Sequence, residues 1–165
     1  MNQILSFTGH RPKYLPGQYS DRTARALAAT VEGILQKHQP SKVLIGMALG
    51  LDQVAATVAT QLGIPFVAVI PFEGQERLWP AASQQKYHQL LNCAKEVVIV
   101  SQGRYSVDKM QLRNQWLVDN SDSLAALWNG DVRSGTFNCI RYAKQQQLSI
   151  HNYWGYFIAS YQQQR

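Results

Sequence analysis

Short apolar runs alternate with longer segments of helical periodicity along most of the sequence. Phe66–Ile70 is apolar at every position, which is typical of a parallel strand covered on both faces. The other predicted strands are Ile4–Thr8, Lys42–Ile45, Val97–Val100, Leu124–Trp128 and Leu148–Ile150. Because strands that alternate with helices build an open parallel sheet, we expect an α/β fold in which a mostly parallel sheet carries helices on both faces.

Two of the helices have clear signals at their ends. Asp21 is the predicted N-cap of the first helix, and Pro40 closes it. The next helix carries apolar residues from Val54 to Leu62 on one face and ends at Gly63. These signals predict helices long enough to cover a sheet.

The length of 165 residues predicts a single domain. We expect it to span residues 1–152, followed by a C-terminal tail at 153–165 that is either a docked helix or a partly ordered end. Cys93 and Cys139 have no metal or redox spacing, so they are interpreted as reduced packing residues on helices. No metal site is expected, and homo-oligomerisation stays open.

A net charge of +6 favours anionic partners only weakly, because lysines and arginines are scattered rather than clustered. Nucleic acid is therefore a candidate partner but not the favoured one. The sequence has no apolar run of membrane-spanning length, and its first residues lead directly into a strand without a signal-peptide layout. We expect a cytoplasmic protein with no membrane partner.

Ligands of open parallel sheets bind beyond the carboxyl ends of the strands, near the point where the strand order reverses. Two loops expected there, 46–52 and 128–136, place glycine at the start of a helix. Ser134-Gly135-Thr136 opens the later helix, and the unpaired N–H groups of a helix N-terminus suit an anion. The alternative is that Ser134 is only an N-cap and Gly135 only a turn residue.

Four motifs occur in a characteristic order. They are Thr8-Gly9-His10-Arg11-Pro12, Gly46-Met47-Ala48-Leu49-Gly50-Leu51-Asp52-Gln53, Pro71-Phe72-Glu73-Gly74-Gln75-Glu76, and Met110-Gln111 through Arg113-Asn114 to Ser121-Asp122. Together they resemble the YpsA-type proteins of the SLOG superfamily over roughly residues 4 to 150. The resemblance implies a Rossmann-like nucleotide-binding domain, a nucleotide-derived ligand such as a relative of ADP-ribose, a phosphate-binding loop, and a sensor or regulatory role.

The same superfamily contains the lonely-guy phosphoribohydrolases and the DprA proteins that bind single-stranded DNA. Met110, Arg113, Ser121-Asp122 and Gly135-Thr136 match elements of the phosphoribohydrolases, but Asn138 and Cys139 stand where those enzymes have two glutamates. An amide cannot act as a general base at neutral pH. The resemblance therefore implies ligand binding more strongly than hydrolysis. Hydrolysis of a nucleotide is the first alternative function, and single-stranded DNA binding is the second.

Several side chains have two interpretations. Arg113 contacts a ligand or forms a salt bridge to Asp122 or Asp108, and Asp52 binds a ribose or caps its helix. The predicted ligand-binding residues are Thr8, Gly9, His10, Arg11, Gly46, Gly50, Asp52, Arg113, Asn114, Gly130, Ser134, Gly135 and Thr136. Asn114 reads a ribose hydroxyl or caps a loop, and a lone histidine such as His10 is commonly a structural hydrogen-bonder.

Catalytic residues are unknown from the sequence. Glu73 and Glu76, the glutamates of a candidate site loop, are weak candidates for an acid–base pair, with solvated loop charges as the alternative. Trp79 lies in the same loop and is a candidate for stacking on a base, whereas Trp116 and Trp128 lie in regular elements and are expected in the core.

Overall fold

The computed structural model describes residues 2–165, which form six strands and six α-helices. The strands are β1 (Ile4–Gly9), β2 (Lys42–Ile45), β3 (Phe66–Ile70), β4 (Glu96–Ile99), β5 (Ser123–Leu127) and β6 (Ser149–Asn152). The helices are α1 (Asp21–His38), α2 (Leu51–Gln61), α3 (Ala81–Cys93), α4 (Val107–Asp119), α5 (Gly135–Gln145) and α6 (Trp154–Gln163). A short 3₁₀ turn at Pro12–Tyr14 follows β1.

The strands form one parallel sheet with the order β4-β3-β2-β1-β5-β6. The chain moves outward from β1 to β4 and then returns to place β5 on the other side of β1. The strand order therefore reverses at β1, and loops on either side of this point diverge to leave a crevice at the carboxyl ends of the strands. The predicted fold class, a Rossmann-like α/β domain, is confirmed.

Each face of the sheet is covered by its own helices. The larger core packs α1, α2, α6 and part of α3 on one face, with Phe7, Ile45 and Phe66 from the strands. On the other face, α4 and α5 cover alternate strand residues such as Leu124 and Val69. This two-sided burial explains why β3 is apolar throughout, as predicted.

The segment that the sequence left open, 153–165, is mostly the helix α6, which packs against α1. Phe157 is buried in the larger core, and the Nε of Arg22 donates to the carbonyl oxygen of Tyr161 at 2.9 Å. The Arg22 guanidinium also lies 4.0 Å from the centre of the Tyr161 ring. The docked-helix alternative is therefore the one that the fold adopts.

Three details differ from the sequence-based expectations. Ser20, not Asp21, is the N-cap of α1, and its hydroxyl accepts a hydrogen bond from the Thr23 N–H. Leu62, expected on the apolar face of the second helix, is the C-cap of α2 and is 42% exposed. Cys93 is also exposed, at the last turn of α3, whereas Cys139 is buried as expected. Within residues 2–165, no helix is both long and apolar enough to cross a membrane.

Candidate functional site

A cavity of about 580 Å³ opens at the crevice where the strand order reverses. The loops after β1, β2 and β5 form its walls, and the inner side of α4 closes it. Predicted site residues that line it are Thr8, Gly9, His10, Arg11, Asp52, Arg113, Asn114, Ser134, Gly135 and Thr136. Gly46, Gly50 and Gly130 belong to the same loops but do not line the cavity.

The sequence did not single out several other lining residues. They are Phe7, Tyr14, Ala48, Met110, Leu117, Asn129, Asp131 and Arg133. Among them, Met110 is indicated by the resemblance alone. The loop 128–136, expected at the site, contains Asn129, Asp131 and Arg133. Their polar and charged side chains are the sequence feature that could have indicated them as lining residues. Tyr14 carried no such signal, because the 3₁₀ turn after β1 brings it to the cavity.

The start of α5 is open to the cavity. Ser134 is the N-cap, as its capping alternative required: its hydroxyl accepts from the Phe137 N–H at 3.1 Å and donates to the Asp131 carbonyl at 2.9 Å. Among the described residues, the N–H groups of Gly135 and Thr136 have no hydrogen-bond acceptor. A Cβ added at Gly135 would meet nothing within 4 Å. Two first-turn amides thus remain available to a bound anion.

The loop before α5 is held by its own side chains. The Asn129 Oδ1 accepts from the Asp131 N–H at 2.9 Å, and the Asp131 Oδ1 accepts from the Arg133 N–H at 2.9 Å and from its Nε at 3.1 Å. These hydrogen bonds from Arg133 lower the pKa of Asp131. Gly130, with φ of 96°, supplies the left-handed residue that the turn needs. The loop is therefore shaped before any ligand arrives.

The start of α2 is closed by the protein itself. The Asp52 carboxylate accepts from the Ala48 N–H at 3.0 Å, a contact with the loop before α2 rather than with a first-turn amide, and α2 has no side-chain cap, so Asp52 does not fill the helix-capping role. Gly50 has φ of 91°, and a Cβ there would lie 2.8 Å from the Cδ of Pro12. Burial raises the pKa of Asp52 against the opposing effects of Arg113, the Ala48 N–H and Arg11. Asp52 still lines the cavity, so ribose binding remains a prediction.

Arg113 joins the closed turn to the cavity. Its Nη1 donates to the Gly46 carbonyl at 2.7 Å, and its Nε donates to the Asn114 Oδ1 at 3.0 Å. The side chain is only 7% exposed, and burial lowers its pKa although Asp52 opposes this effect. A guanidinium nevertheless stays protonated at neutral pH. Arg113 thus presents a buried positive charge beside the cavity.

Arg113 lies in the second turn of α4, which begins at Val107. Within residues 2–165 it forms no salt bridge to Asp122 or Asp108. The Asp122 carboxylate instead accepts from the Ile4 N–H at 2.8 Å.

His10 is buried at the floor of the cavity and bonded to the protein. Its Nε2 accepts from the Asn129 N–H at 3.0 Å, and its ring meets the Trp154 ring edge-on at 5.8 Å. Burial lowers the pKa of His10, although Asn129 and Asp131 oppose the shift. The imidazole is therefore neutral at pH 7 and carries its proton on Nδ1. Its structural role is clear from these contacts, and contact with a ligand stays a prediction.

A second cavity, of about 740 Å³, lies beside the first. The loops after β3 and β4 form it, and Arg11 and Met110 line both cavities. Glu73 lines this second cavity, whereas Glu76 lines neither. The Oε1 of Glu76 lies 3.6 Å from the Nε2 of His88, and its Oε2 is buried with no hydrogen-bond partner among the described residues. The two glutamates do not face one cavity as an acid–base pair.

Metal ligation has little support in the arrangement. Within residues 2–165, no group of three histidine, cysteine or acidic side chains is placed to hold a metal ion. Two carboxylates line the first cavity. Asp52 accepts a hydrogen bond from the Ala48 N–H, and Asp131 accepts hydrogen bonds from Arg133. The cavity therefore offers amides and guanidinium groups, which suit an oxyanion.

Comparison with known proteins agrees with the motifs. A family model named YpsA, described as the YspA SLOG family, matches residues 5–163. The uncharacterized SPbeta prophage-derived protein YoqJ of Bacillus subtilis (strain 168) is 32% identical over 144 residues, which cover 78% of this chain and 83% of YoqJ. The resemblance to YpsA-type proteins predicted from the sequence is confirmed.

Solved structures share the fold. DNA processing protein A (DprA) from Streptococcus pneumoniae has a TM-score of 0.64 at 15% identity, over 98% of this chain and 55% of that one. DprA from Helicobacter pylori, which binds single-stranded DNA, has a TM-score of 0.63 at 16% identity, over 90% of this chain and 63% of that one. The chain therefore corresponds to less than two thirds of either DprA chain.

Proposed function

The chain belongs to the YpsA family of SLOG proteins, and on that premise we propose that it is a module that binds a nucleotide or a nucleotide derivative. The ligand phosphate sits at the start of α5, where the N–H groups of Gly135 and Thr136 are open. This open helix N-terminus is the single observation on which the proposal depends, because its amides and helix dipole favour a bound oxyanion.

The charges around the cavity support an anionic ligand. Arg113 is buried and fixed by Gly46, so its position costs little conformational entropy when a ligand binds. Arg11 is exposed at the mouth, and its side chain has no hydrogen-bond or ion-pair partner within residues 2–165. A phosphate between the α5 amides and these guanidinium groups would receive charge-assisted hydrogen bonds. The cavity volume of about 580 Å³ is in the range of small-molecule sites.

Binding is better supported than phosphoribohydrolase chemistry. Cys139 stands where those enzymes have a glutamate, and here it is completely buried in the core, where burial raises the pKa of its thiol to about 11. Asn138 does not line the cavity either. A protonated thiol in the core can neither take a proton from a substrate nor stabilise positive charge on its ribose. We therefore propose a sensor or regulatory module.

Isothermal titration calorimetry with AMP and adenosine tests the proposal. AMP should bind saturably, and adenosine, which lacks the phosphate, should bind at least about tenfold more weakly. Gly135→Asp places a negative charge among the open amides, so it should weaken AMP binding by at least about tenfold. The melting temperature should hold or rise, because an acidic side chain suits a helix N-terminus.

Gly155→Asp is the matched control. Gly155 lies in the first turn of α6 and lines neither cavity, and a Cβ there also meets nothing within 4 Å. This variant should bind AMP as the unaltered protein does. Equal affinity for AMP and adenosine, or an unchanged AMP affinity in Gly135→Asp, would refute phosphate binding at α5.

Single-stranded DNA is a second candidate, favoured by the fold shared with DprA and by the net charge of +6. Binding through phosphates should weaken steeply as salt rises. An oligothymidylate that binds with a steep salt dependence, and more tightly than AMP, would support this candidate over a small nucleotide.

A further inference from the structure

We propose that the second cavity is the other half of the same ligand site and that it holds a planar aromatic ring. The inference rests on the proposed function, and it narrows the ligand to a class. That class is a small molecule whose ribose phosphate half lies in the first cavity and is joined through a further phosphate to a nucleoside half.

The two cavities adjoin at one place. Arg11 and Met110 line both of them, so a ligand that occupied both cavities would cross beside these side chains. Arg11 is exposed and unpaired among the described residues. A guanidinium at a junction suits a bridging phosphate, because its forked N–H groups can hold two phosphate oxygens.

The walls of the second cavity are aromatic. Phe72, Trp79 and Tyr105 line it. The Phe72 and Tyr105 rings meet edge-on with their centres 6.1 Å apart, and Trp79 is fixed by an edge-on contact with Tyr87 at 5.4 Å. Tyr105 is 66% exposed, so most of its ring is not covered by the protein. Aromatic side chains placed in this way bind planar rings by stacking.

Charge at the second cavity also fits a nucleotide half. The charged residues that line it are Arg11, Arg77, Arg104 and Glu73, which are three cations and one anion. Leu78 lies at its edge and is almost fully exposed. A ligand that covered this leucine and Tyr105 would remove apolar surface from water, which favours binding. A mononucleotide in the first cavity alone would leave all of this surface unused.

The proposal is tested by calorimetry with two probes, ribose 5-phosphate and ADP-ribose. Ribose 5-phosphate can occupy only the first cavity, whereas ADP-ribose adds a second phosphate and an adenosine. ADP-ribose should bind at least about tenfold more tightly. Tyr105→Ala should weaken ADP-ribose binding by at least about fivefold, the smallest effect expected when a base loses an aromatic stacking partner. Ribose 5-phosphate binding should not change in this variant.

Tyr19→Ala is the control, because Tyr19 is 68% exposed and lines neither cavity. It should bind both probes as the unaltered protein does. As a second readout, ADP-ribose should quench tryptophan fluorescence, and the conservative variant Trp79→Phe should lose most of the quenching while keeping its fold by circular dichroism. Ribose 5-phosphate should quench neither protein.

The outcomes separate this inference from the proposed function. If both probes bind equally and Tyr105→Ala changes neither, the second cavity is not a ring site, although phosphate binding at α5 stands. If neither probe binds, both proposals fall. If oligothymidylate displaces ADP-ribose and binds more tightly through Tyr105, the occupant is a DNA strand and the small-molecule proposal is overturned.

Discussion

Two turns in this protein look alike in sequence and differ in the structure. Each follows a strand at the reversal of the sheet, contains glycine and opens a helix. At the start of α2, Asp52 holds the Ala48 N–H and Pro12 packs against Gly50. At the start of α5, nothing lies within 4 Å of a Cβ added at Gly135. The turn before α2 is packed against other residues of the protein, and the turn before α5 is open.

The difference shows that glycine serves two purposes at such turns. Gly46 is needed because the Arg113 guanidinium packs against it, so a Cβ there would clash with Nη1. Gly135 has no such neighbour, and its lack of a side chain leaves space for a ligand. The closed turn therefore positions Arg113, and the open turn supplies amides beside it.

The largest expected effect is the loss of Arg113. Arg113→Ala removes a buried charge that stabilises the ionised Asp52 carboxylate against the cost of burial, and it removes the hydrogen bond to the Gly46 carbonyl. An unpaired buried group is costly, so we expect the free energy of unfolding to fall by about 3 kcal/mol. Urea denaturation followed by circular dichroism measures this change.

Arg133→Ala is the comparison from the open loop. The Arg133 side chain is exposed to solvent and pairs with Asp131 at the surface. Its removal should leave the unfolding midpoint unchanged, because exposed ion pairs contribute little. A similar loss of stability in the two variants would contradict the distinction between a closed and an open turn.

A smaller effect is expected from adding a methyl group to each turn. Gly46→Ala would push the Arg113 guanidinium from its site in a packed interior, which should cost about 1–3 kcal/mol. Gly135→Ala meets nothing within 4 Å, so its stability should stay within about 0.5 kcal/mol. Thermal and urea unfolding of both proteins give the comparison. If Gly135→Ala were the less stable variant, the open turn would be carrying a packing role that the structure does not have.

The smallest expected effect concerns the pH dependence of the open loop. Burial lowers the pKa of His10 below its ordinary 6.5, and its Nε2 must be unprotonated to accept from Asn129. A group whose pKa is lowered by folding stabilises the protein above its unfolded pKa, and this contribution disappears as pH falls through the folded pKa. The unfolding free energy should therefore fall between pH 7 and pH 5.

His10→Gln keeps an acceptor and removes the titration, so its unfolding free energy should depend less on pH over the same range. His38, whose pKa is also lowered by burial, is present in both proteins and cancels in the comparison. Urea denaturation at several pH values measures the two slopes. Identical slopes would show that protonation of His10 does not change the free energy of unfolding through its contact with Asn129.

Most of the fold could be predicted from periodicity, because most of the strands are short apolar runs and most of the helices have an apolar face, whereas β6 is largely polar and α6 was left open. The all-apolar strand β3 even indicated its burial on both sides. Details decided by nearby geometry were missed, such as the choice of Ser20 over Asp21 as N-cap. Both residues are good N-caps, and only the backbone path before α1 separates them.

The site could be predicted in part. The loops that meet at the reversal of the sheet follow from its topology, and with them most of the lining residues. Which glycine turn is open could not be predicted, because it depends on contacts between residues far apart in sequence. Pro12 closes the turn at Gly50, and Arg113 reaches Gly46 across 67 positions of the chain. No local pattern contains those contacts.

The most direct test follows individual backbone amides by ¹H–¹⁵N correlation NMR while AMP is added to the ¹⁵N-labelled protein. The Gly135 and Thr136 amide signals should show the largest saturable shifts, and that of Gly50, which does not line the cavity, should stay close to its starting position. Shifts at Ala48 and Gly50 with none at Gly135 and Thr136 would contradict the assignment of the phosphate to the open turn.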